Sequence, residues 1–297
     1  MGQKDITQKT LESHNDVFAD IINGIVFDGN DVVKEDELFD TPNISSFRAG
    51  NKITNQERDV TKLWKENNIR IALWGVENQT NPEKNMPLRV ISYDGASYKR
   101  QILDYEARLK KGKNRIVAEE YYPVITFVVY LGDKPWNKNK SLMEVLNVRP
   151  ELKQYVNDYK LNLIDLSELP EDKVRLFKSD FRSLIDWLKN KKDPNYKVLD
   201  RKLAHKEDFT DLLYAMSGDE RVYEAVNNHD DEGDNITMCE FIDRLREEGR
   251  EEGREEGIEK ERERNNKENL KKAKALVEAG TAKEIVAKIM DVNIALL

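Results

Sequence analysis

Cysteine is nearly missing from this chain of 297 residues, which has Cys239 alone. That excludes an intramolecular disulfide and a cysteine-based zinc site. Histidine is almost as scarce: His14, His205 and His229 are scattered, which argues against a His-rich metal centre and supplies no Ser-His-Asp or Cys-His spacing. Long apolar runs are absent too. No stretch approaches the ~18 residues of a membrane span, and mean hydropathy is -0.77. No GxxxxGK[ST] phosphate loop occurs. The start, Met1 to Asn15, is polar without an apolar h-region, so no secretory leader and no membrane association are expected, and a reducing cytoplasm is the expected compartment.

What the chain has in abundance is charge. Charged residues make up 36%, with 49 basic and 57 acidic positions and a net charge of -8. This balance argues against a protein that coats nucleic acid, while leaving room for a local basic patch. The segment Arg244 to Lys272 holds ten basic and ten acidic residues, so the net charge resides in the part before it. Within that segment REEGREEGREEG, Arg246 to Gly257, repeats every four residues. Such a period drifts around a 3.6-residue helix and makes no apolar seam. Each glycine costs about 1 kcal/mol of helix propensity, partly offset by Glu and Arg on neighbouring turns. A solvated, semi-rigid helix or spacer is the first reading, a dimerising coiled coil the second. The chain thus divides into three regions: 1–192 with mixed helix and strand patterns, 193–243 as a helical extension, and 244–297 as a charged helix with a short helical tail.

Periodicity places elements in the first region. Val17, Phe18, Ile21, Ile22 and Ile25 form one apolar stripe, predicting a helix over Ser13–Val26 capped by Ser13 with Asp16. Residues 27–55 read as irregular. Asp59–Trp64 and the β-branched, aromatic run Ile69–Gln79 predict a hairpin with a turn at Lys65–Asn68. A helix over Arg89–Leu109, strands at Tyr122–Leu131 and Leu161–Leu166, and a helix over Pro170–Lys191 complete an alternation that favours an α/β core.

Along a strand over Ile69–Gln79, Glu77 and Gln79 share a face, and Asp59 on the neighbouring strand can reach it. Two carboxylates at a sheet edge suit a hard divalent ion such as Mg²⁺, which takes one or two carboxylates plus waters and phosphate oxygens. Composition alone gives about one acidic-x-Gln triplet by chance. The setting at the polar end of a buried strand therefore carries the argument, and an ordinary solvated strand end is its alternative.

The runs NDVFADIINGIVFDG, QERDVTKLWKENNIRIALWGVENQTNPEKNMPLRVISYDGASYKRQ, YPVITFVVYLG and YVNDYKLNLIDL, with FKSDFR, resemble the recombination-promoting nuclease (Rpn) family. These are transposase-like members of the PD-(D/E)XK nuclease superfamily. The resemblance covers about residues 5–191. It implies a PD-(D/E)XK nuclease-like α/β core around a mixed central sheet, followed by a helical C-terminal region. It also implies metal-dependent DNA cleavage in a bacterial cytoplasm, with Asp59 and Glu77 as Mg²⁺ ligands (Mn²⁺ substituting) and Gln79 standing where the superfamily has lysine. Lysine would stabilise the pentavalent phosphate as a point charge, and an amide cannot. An acidic residue of the first helix commonly joins such sites, and Asp20 is the choice, because Asp16 has the competing capping role. Arg89 and Tyr93 match positions after the ExQ motif.

For double-stranded DNA the expected contacts are Arg89, Lys99, Arg100, Arg108, Lys110, Lys111, Lys113 and Arg115, five of them within the eight residues Arg108 to Arg115. PWNKNK, Pro135–Lys140, is a weaker candidate. Such contacts position a duplex and weaken with salt. A homodimer is expected, because two sites cut two strands most simply, and the C-terminal helix could hold a protein partner. The reading is thus a DNA endonuclease linked to recombination, mobile elements or defence against foreign DNA. The alternatives are a catalytically weak nuclease-fold interaction protein and, third, an RNA nuclease.

Overall fold

The computed structural model describes residues 3–42, 44–49, 52–66, 69–110, 121–132, 134–191, 193, 201–223 and 237–297. Two compact units divide the chain: Met1–Asp219 with Glu232–Cys239, and Glu220–Asp231 with Glu240–Leu297. The first unit therefore continues well past residue 192.

At the centre of the first unit is a five-stranded mixed sheet in the order β1–β4–β5–β6–β7. Its strands are β1 (Leu38–Asp40), β4 (Val60–Glu66), β5 (Ile69–Gln79), β6 (Val124–Tyr130) and β7 (Asn162–Asp165). β1, β4 and β5 run antiparallel, whereas β5, β6 and β7 are parallel. The parallel step from β5 to β6 needs a long crossover, supplied by α3 (Met86–Lys110). α3 opens earlier than its apolar pattern shows, because Pro87 fits the first turn of a helix, where its missing N–H has no helical partner to lose.

Alternation sorts the side chains of β5. Leu73, Gly75, Glu77 and Gln79 share the face covered by α3, where Met86 and Val90 pack with Val128, Tyr130 and Trp136. Ala72, Trp74, Val76 and Asn78 point to the other face, on which α1 (Gln3–Ser13) lies against β4 and β5. α2 (Asn15–Val26) buries Val17, Phe18, Ile21 and Ile22, as its stripe requires.

Several expectations need correction. The helix predicted from Ser13 is two helices. Ser13 Oγ donates back to Thr10 O at 2.7 Å rather than capping α2, and His14 breaks the chain with extended dihedrals. The span read as irregular contains β1 and a separate antiparallel hairpin, β2 (Ile44–Ala49) with β3 (Lys52–Glu57). The helix expected over Pro170–Lys191 is interrupted, giving α5 (Glu171–Val174) and α6 (Asp180–Asn190) with Ser179 as N-cap. Between α3 and α6 lies a short α4 (Leu142–Val145). After α6 comes α7 (Lys206–Ser217), fastened to the first helices by stacked His14 and His205 rings 3.6 Å apart. His14 pairs with Asp208 at 2.6 Å, and His205 with Asp16 at 2.9 Å.

The charged segment belongs to α8, a 41-residue helix over Met238–Glu278, which enters the second unit from Glu240 on. It ends in a Schellman turn: Gly280, at φ 101°, donates to Val277 O, and Thr281 N–H reaches Leu276 O. α9 (Lys283–Met290) comes next.

Candidate active site

The last residues of β5 and the bend before β4 bring two acids together. Strand register runs Val60 opposite Val76, which sets Asp59 beside Glu77. Asp59 Oδ2 accepts the backbone N–H of Asn78 at 2.7 Å, and Lys9 of α1 meets Asp59 Oδ1 at 2.8 Å. Glu77 is fully buried. Its Oε2 accepts from Arg89 Nη2 at 3.2 Å, while Oε1 has no hydrogen-bond partner. Burial first, and then the negative charge of Asp59, push the Glu77 carboxyl up to about 8, against the pull of Arg89 and Arg58. Gln79 lies two residues on along the same face and is half-buried.

Arg89 is held in a second pair with Glu83 at 2.5 Å and by the Tyr93 hydroxyl at 3.2 Å. These partners lie on its own loop and helix, and they aim the guanidinium at Glu77. Burial and the charge of Glu77 raise the Tyr93 phenol above its ordinary value. Below this layer Arg58 donates to Asp94 of α3, as do Thr126 Oγ1 at 2.6 Å and the Tyr159 hydroxyl. Desolvation lowers the buried Arg58 guanidinium. Gly75 makes the crossing possible, since a Cβ there would sit 3.2 Å from Thr126 Oγ1 and 3.3 Å from Arg58 Cδ.

Asp20 is placed elsewhere. Both its oxygens accept the backbone N–H of Lys178 at 2.8 Å, and Oδ2 also takes Ser179 N–H and Oγ at 2.7 Å. Its carboxylate thus closes the N-terminus of α6, where a negative charge is favoured. The acid that the first helices send towards the site is Glu12 of α1. It is fully buried and accepts from Asn78 Nδ2 at 2.7 Å and Gln8 Nε2 at 3.1 Å. Burial dominates there too, and with the charge of Asp59 it raises Glu12 to about 7. Because Asn78 points away from the Glu77 face, Glu12 reaches the strand end from below. Sequence reasoning missed Lys9 and Glu12 because α1 was read as a polar start. Leu11, buried beside Glu12, and the Gln8–Glu12 spacing were the available signals.

The expected DNA contacts spread along α3. At about 1.5 Å per residue, Lys99 lies roughly 15 Å and Lys110 roughly 31 Å along the helix from Arg89. Gln101 exchanges hydrogen bonds with the backbone of Tyr122, ahead of β6, so the basic end of α3 lies at the far end of the sheet from Glu77. Lys99 is exposed, Arg100 pairs with Asp104 at 3.6 Å, Arg108 Nε donates to Asp104 O at 3.3 Å, and Lys110 is exposed. Lys111, Lys113 and Arg115 lie outside the described residues.

The donor set is small for a divalent cation. Among the described residues no group of three or more His, Cys, Asp or Glu is disposed to hold a metal. Mg²⁺ characteristically needs fewer, one or two carboxylates with water and phosphate completing its shell. Asp59 with the unpartnered Glu77 Oε1 fits that smaller requirement. Among the described residues no helix is long and apolar enough to cross a membrane.

Comparison with known proteins gives one match. Residues 72–205 match the family model described as "Putative transposase, YhgA-like", in agreement with the resemblance drawn from the motifs. No curated protein and no solved structure matches the chain.

Proposed function

We propose, from the premise that residues 72–205 carry the pattern of the YhgA-like transposase family, that this chain is a metal-dependent DNA endonuclease. It would hydrolyse phosphodiester bonds in recombination, mobile-element movement or defence against foreign DNA, in a bacterial cytoplasm. The observation that carries the reading is the pairing of Asp59 with a buried Glu77 whose Oε1 is unpartnered.

Asp59 and Glu77 would hold Mg²⁺, or Mn²⁺ in its place. Bound there, the ion supplies charge neutralisation at the phosphate and a more acidic water. The chain's own part is positioning. Arg89 restrains Glu77 from one side, and the Asn78 N–H fixes Asp59. Gln79 extends its amide from the same face and orients water or phosphate without acting as base or cation. Glu77 must lose its proton to bind a cation, so cleavage is expected to rise with pH, and because the cation competes with the proton the rise falls below the metal-free value of about 8. Cutting both strands of a duplex is simplest for two copies of the chain, each offering one site.

A second reading is supported by Lys9 and Arg89. Their positive charges already stand against Asp59 and Glu77 within the chain, as in a nuclease fold retained for interaction. Supercoiled plasmid incubated with the purified chain and Mg²⁺, Mn²⁺ or EDTA separates the two, with Asp59→Ala and Glu77→Ala alongside. Nicking that needs metal and is lost in both variants is the expected result. Folded protein without cleavage in any metal would favour the interaction module, and cleavage surviving both substitutions would remove the assigned site. An RNA substrate run in parallel identifies the nucleic acid.

A further inference from the structure

The far end of α3 is poorly placed to hold a strand at Glu77, yet the chain places other cations beside that end of the sheet. A cleft of about 630 Å³ opens at the C-terminal ends of β5 and β6. In open α/β sheets this is where ligands commonly bind. Thr80 and Asn81, which continue β5 directly beyond Gln79, form one wall, and Tyr130 ends β6 at the floor. Leu131 N–H donates to Gln79 O at 2.8 Å, so wall and floor are one continuous strand pair. Lys134, Lys138 and Lys191 line the rim, and among the described lining residues none is acidic. The molecule as a whole has a net charge of -8, and three of its lysines gather around this one concavity.

The rim is fixed by its own bonds. Trp136 N–H donates to Asp165 Oδ2 at 2.7 Å, and Trp136 Nε1–H to Lys138 O at 2.8 Å. The backbone that carries Lys134 and Lys138 is therefore held against the end of β7 before any ligand arrives, which lowers the ordering cost of binding. Gly132 packs directly on the Tyr130 ring, which a Cβ there would overlap. From Glu77 to Thr80 is three residues of extended chain, about 10 Å. That equals about three base steps of a nucleic-acid strand at 3.4 Å each.

We infer that this cleft holds the phosphodiester backbone of the strand whose bond is cut at Asp59 and Glu77. Lys134, Lys138 and Lys191 are the phosphate contacts. The inference rests on the nuclease reading and deepens it. Lysines act here as point charges, so the contacts fix the strand's path and read no sequence.

The test measures binding without cleavage. The full chain is titrated into a fluorescein-labelled DNA duplex in EDTA, with anisotropy followed from 50 to 200 mM salt. Lys134→Gln/Lys138→Gln/Lys191→Gln is expected to bind about tenfold more weakly at the low-salt end and to flatten the log–log salt slope by about 2 to 3. The matching triple Lys→Arg variant should restore both. Lys99→Gln/Arg108→Gln/Lys110→Gln on α3 should retain most of the wild-type slope. If the cleft variant keeps wild-type affinity and slope while the wild type cleaves plasmid, the cleft assignment is overturned and the nuclease reading stands. The same holds if the α3 variant takes the whole loss. A wild type that neither binds nor cleaves overturns both.

Discussion

Glu77 is a carboxyl taken wholly out of water, with one oxygen accepting from Arg89 and the other without a hydrogen-bond partner. Its raised value of about 8 has a definite consequence for stability. Below about pH 4.5, the ordinary value, the group is protonated in folded and unfolded chains alike and contributes no pH dependence. Between that value and about 8, the unfolded chain gives up the proton while the folded chain keeps it, so stability falls as pH rises. Above about 8 the loss is complete. Glu12, raised to about 7, adds a second loss of the same sign, complete about one unit earlier. Metal-free protein in EDTA should therefore unfold at progressively lower temperature from pH 5 to 8. Glu77→Gln should flatten that decline and be the more stable protein at pH 8. Mg²⁺ should raise the wild-type midpoint more at pH 8 than at pH 6, because binding needs the ionised carboxylate. Calorimetric scans across this range decide the matter, and a Glu77→Gln profile parallel to the wild type would show that Glu77 is ionised in the fold.

At the scale of elements, α3 is anchored to the sheet through Asp94, which receives Arg58, Thr126 and Tyr159 in a buried cluster. Asp94→Ala removes the carboxylate to which the buried Arg58 donates, and removing one member of such a pair typically costs about 3–5 kcal/mol. Urea unfolding of the variant should show that loss. A change under about 1 kcal/mol, the range of an exposed pair, would mean that water reaches Arg58. The sheet itself was legible. β5 has the bounds its apolar run predicts, and the period-two pattern put Glu77 and Gln79 together. What could not be read were long-range choices between equivalent acids. Asp20 and Glu12 both sit on early helices, and only the packing of α6 against α2 settles that Asp20 meets the Lys178 and Ser179 amides. The break at His14 was hidden because Ser13 and Asp16 fit a capping pattern that another bond, to Thr10, takes over. Arg58 and Asp94 were invisible for the same reason, since nothing local marks a charge that will be buried.

For the whole molecule, the decisive feature is how charge is apportioned. The acidic excess lies ahead of Arg244, and the neutral, salt-bridged segment Arg244–Lys272 of α8 carries Glu256–Lys260 at 2.8 Å and Arg264–Glu268 at 3.6 Å. Exposed pairs of this kind are each worth only tenths of a kcal/mol. They must nevertheless hold a helix that the REEG glycines weaken. A Cβ at Gly253 or Gly257 would meet nothing within 4 Å, whereas one at Gly249 would press on Arg221 Nη1 at 2.5 Å. Gly253 and Gly257 thus have no packing contact that requires glycine. Gly253→Ala/Gly257→Ala should stabilise α8 by about 1 kcal/mol per site, raising the helical signal retained on heating in circular dichroism. If α8 is a spacer, the sedimentation mass and plasmid cleavage of that variant stay as in the wild type, because solvent alone has been displaced. If instead the glycines admit a second helix at close range, the added methyl groups would obstruct it and shift the mass towards a smaller species. That outcome would turn the repeat from a spacer into an interface between copies of the chain.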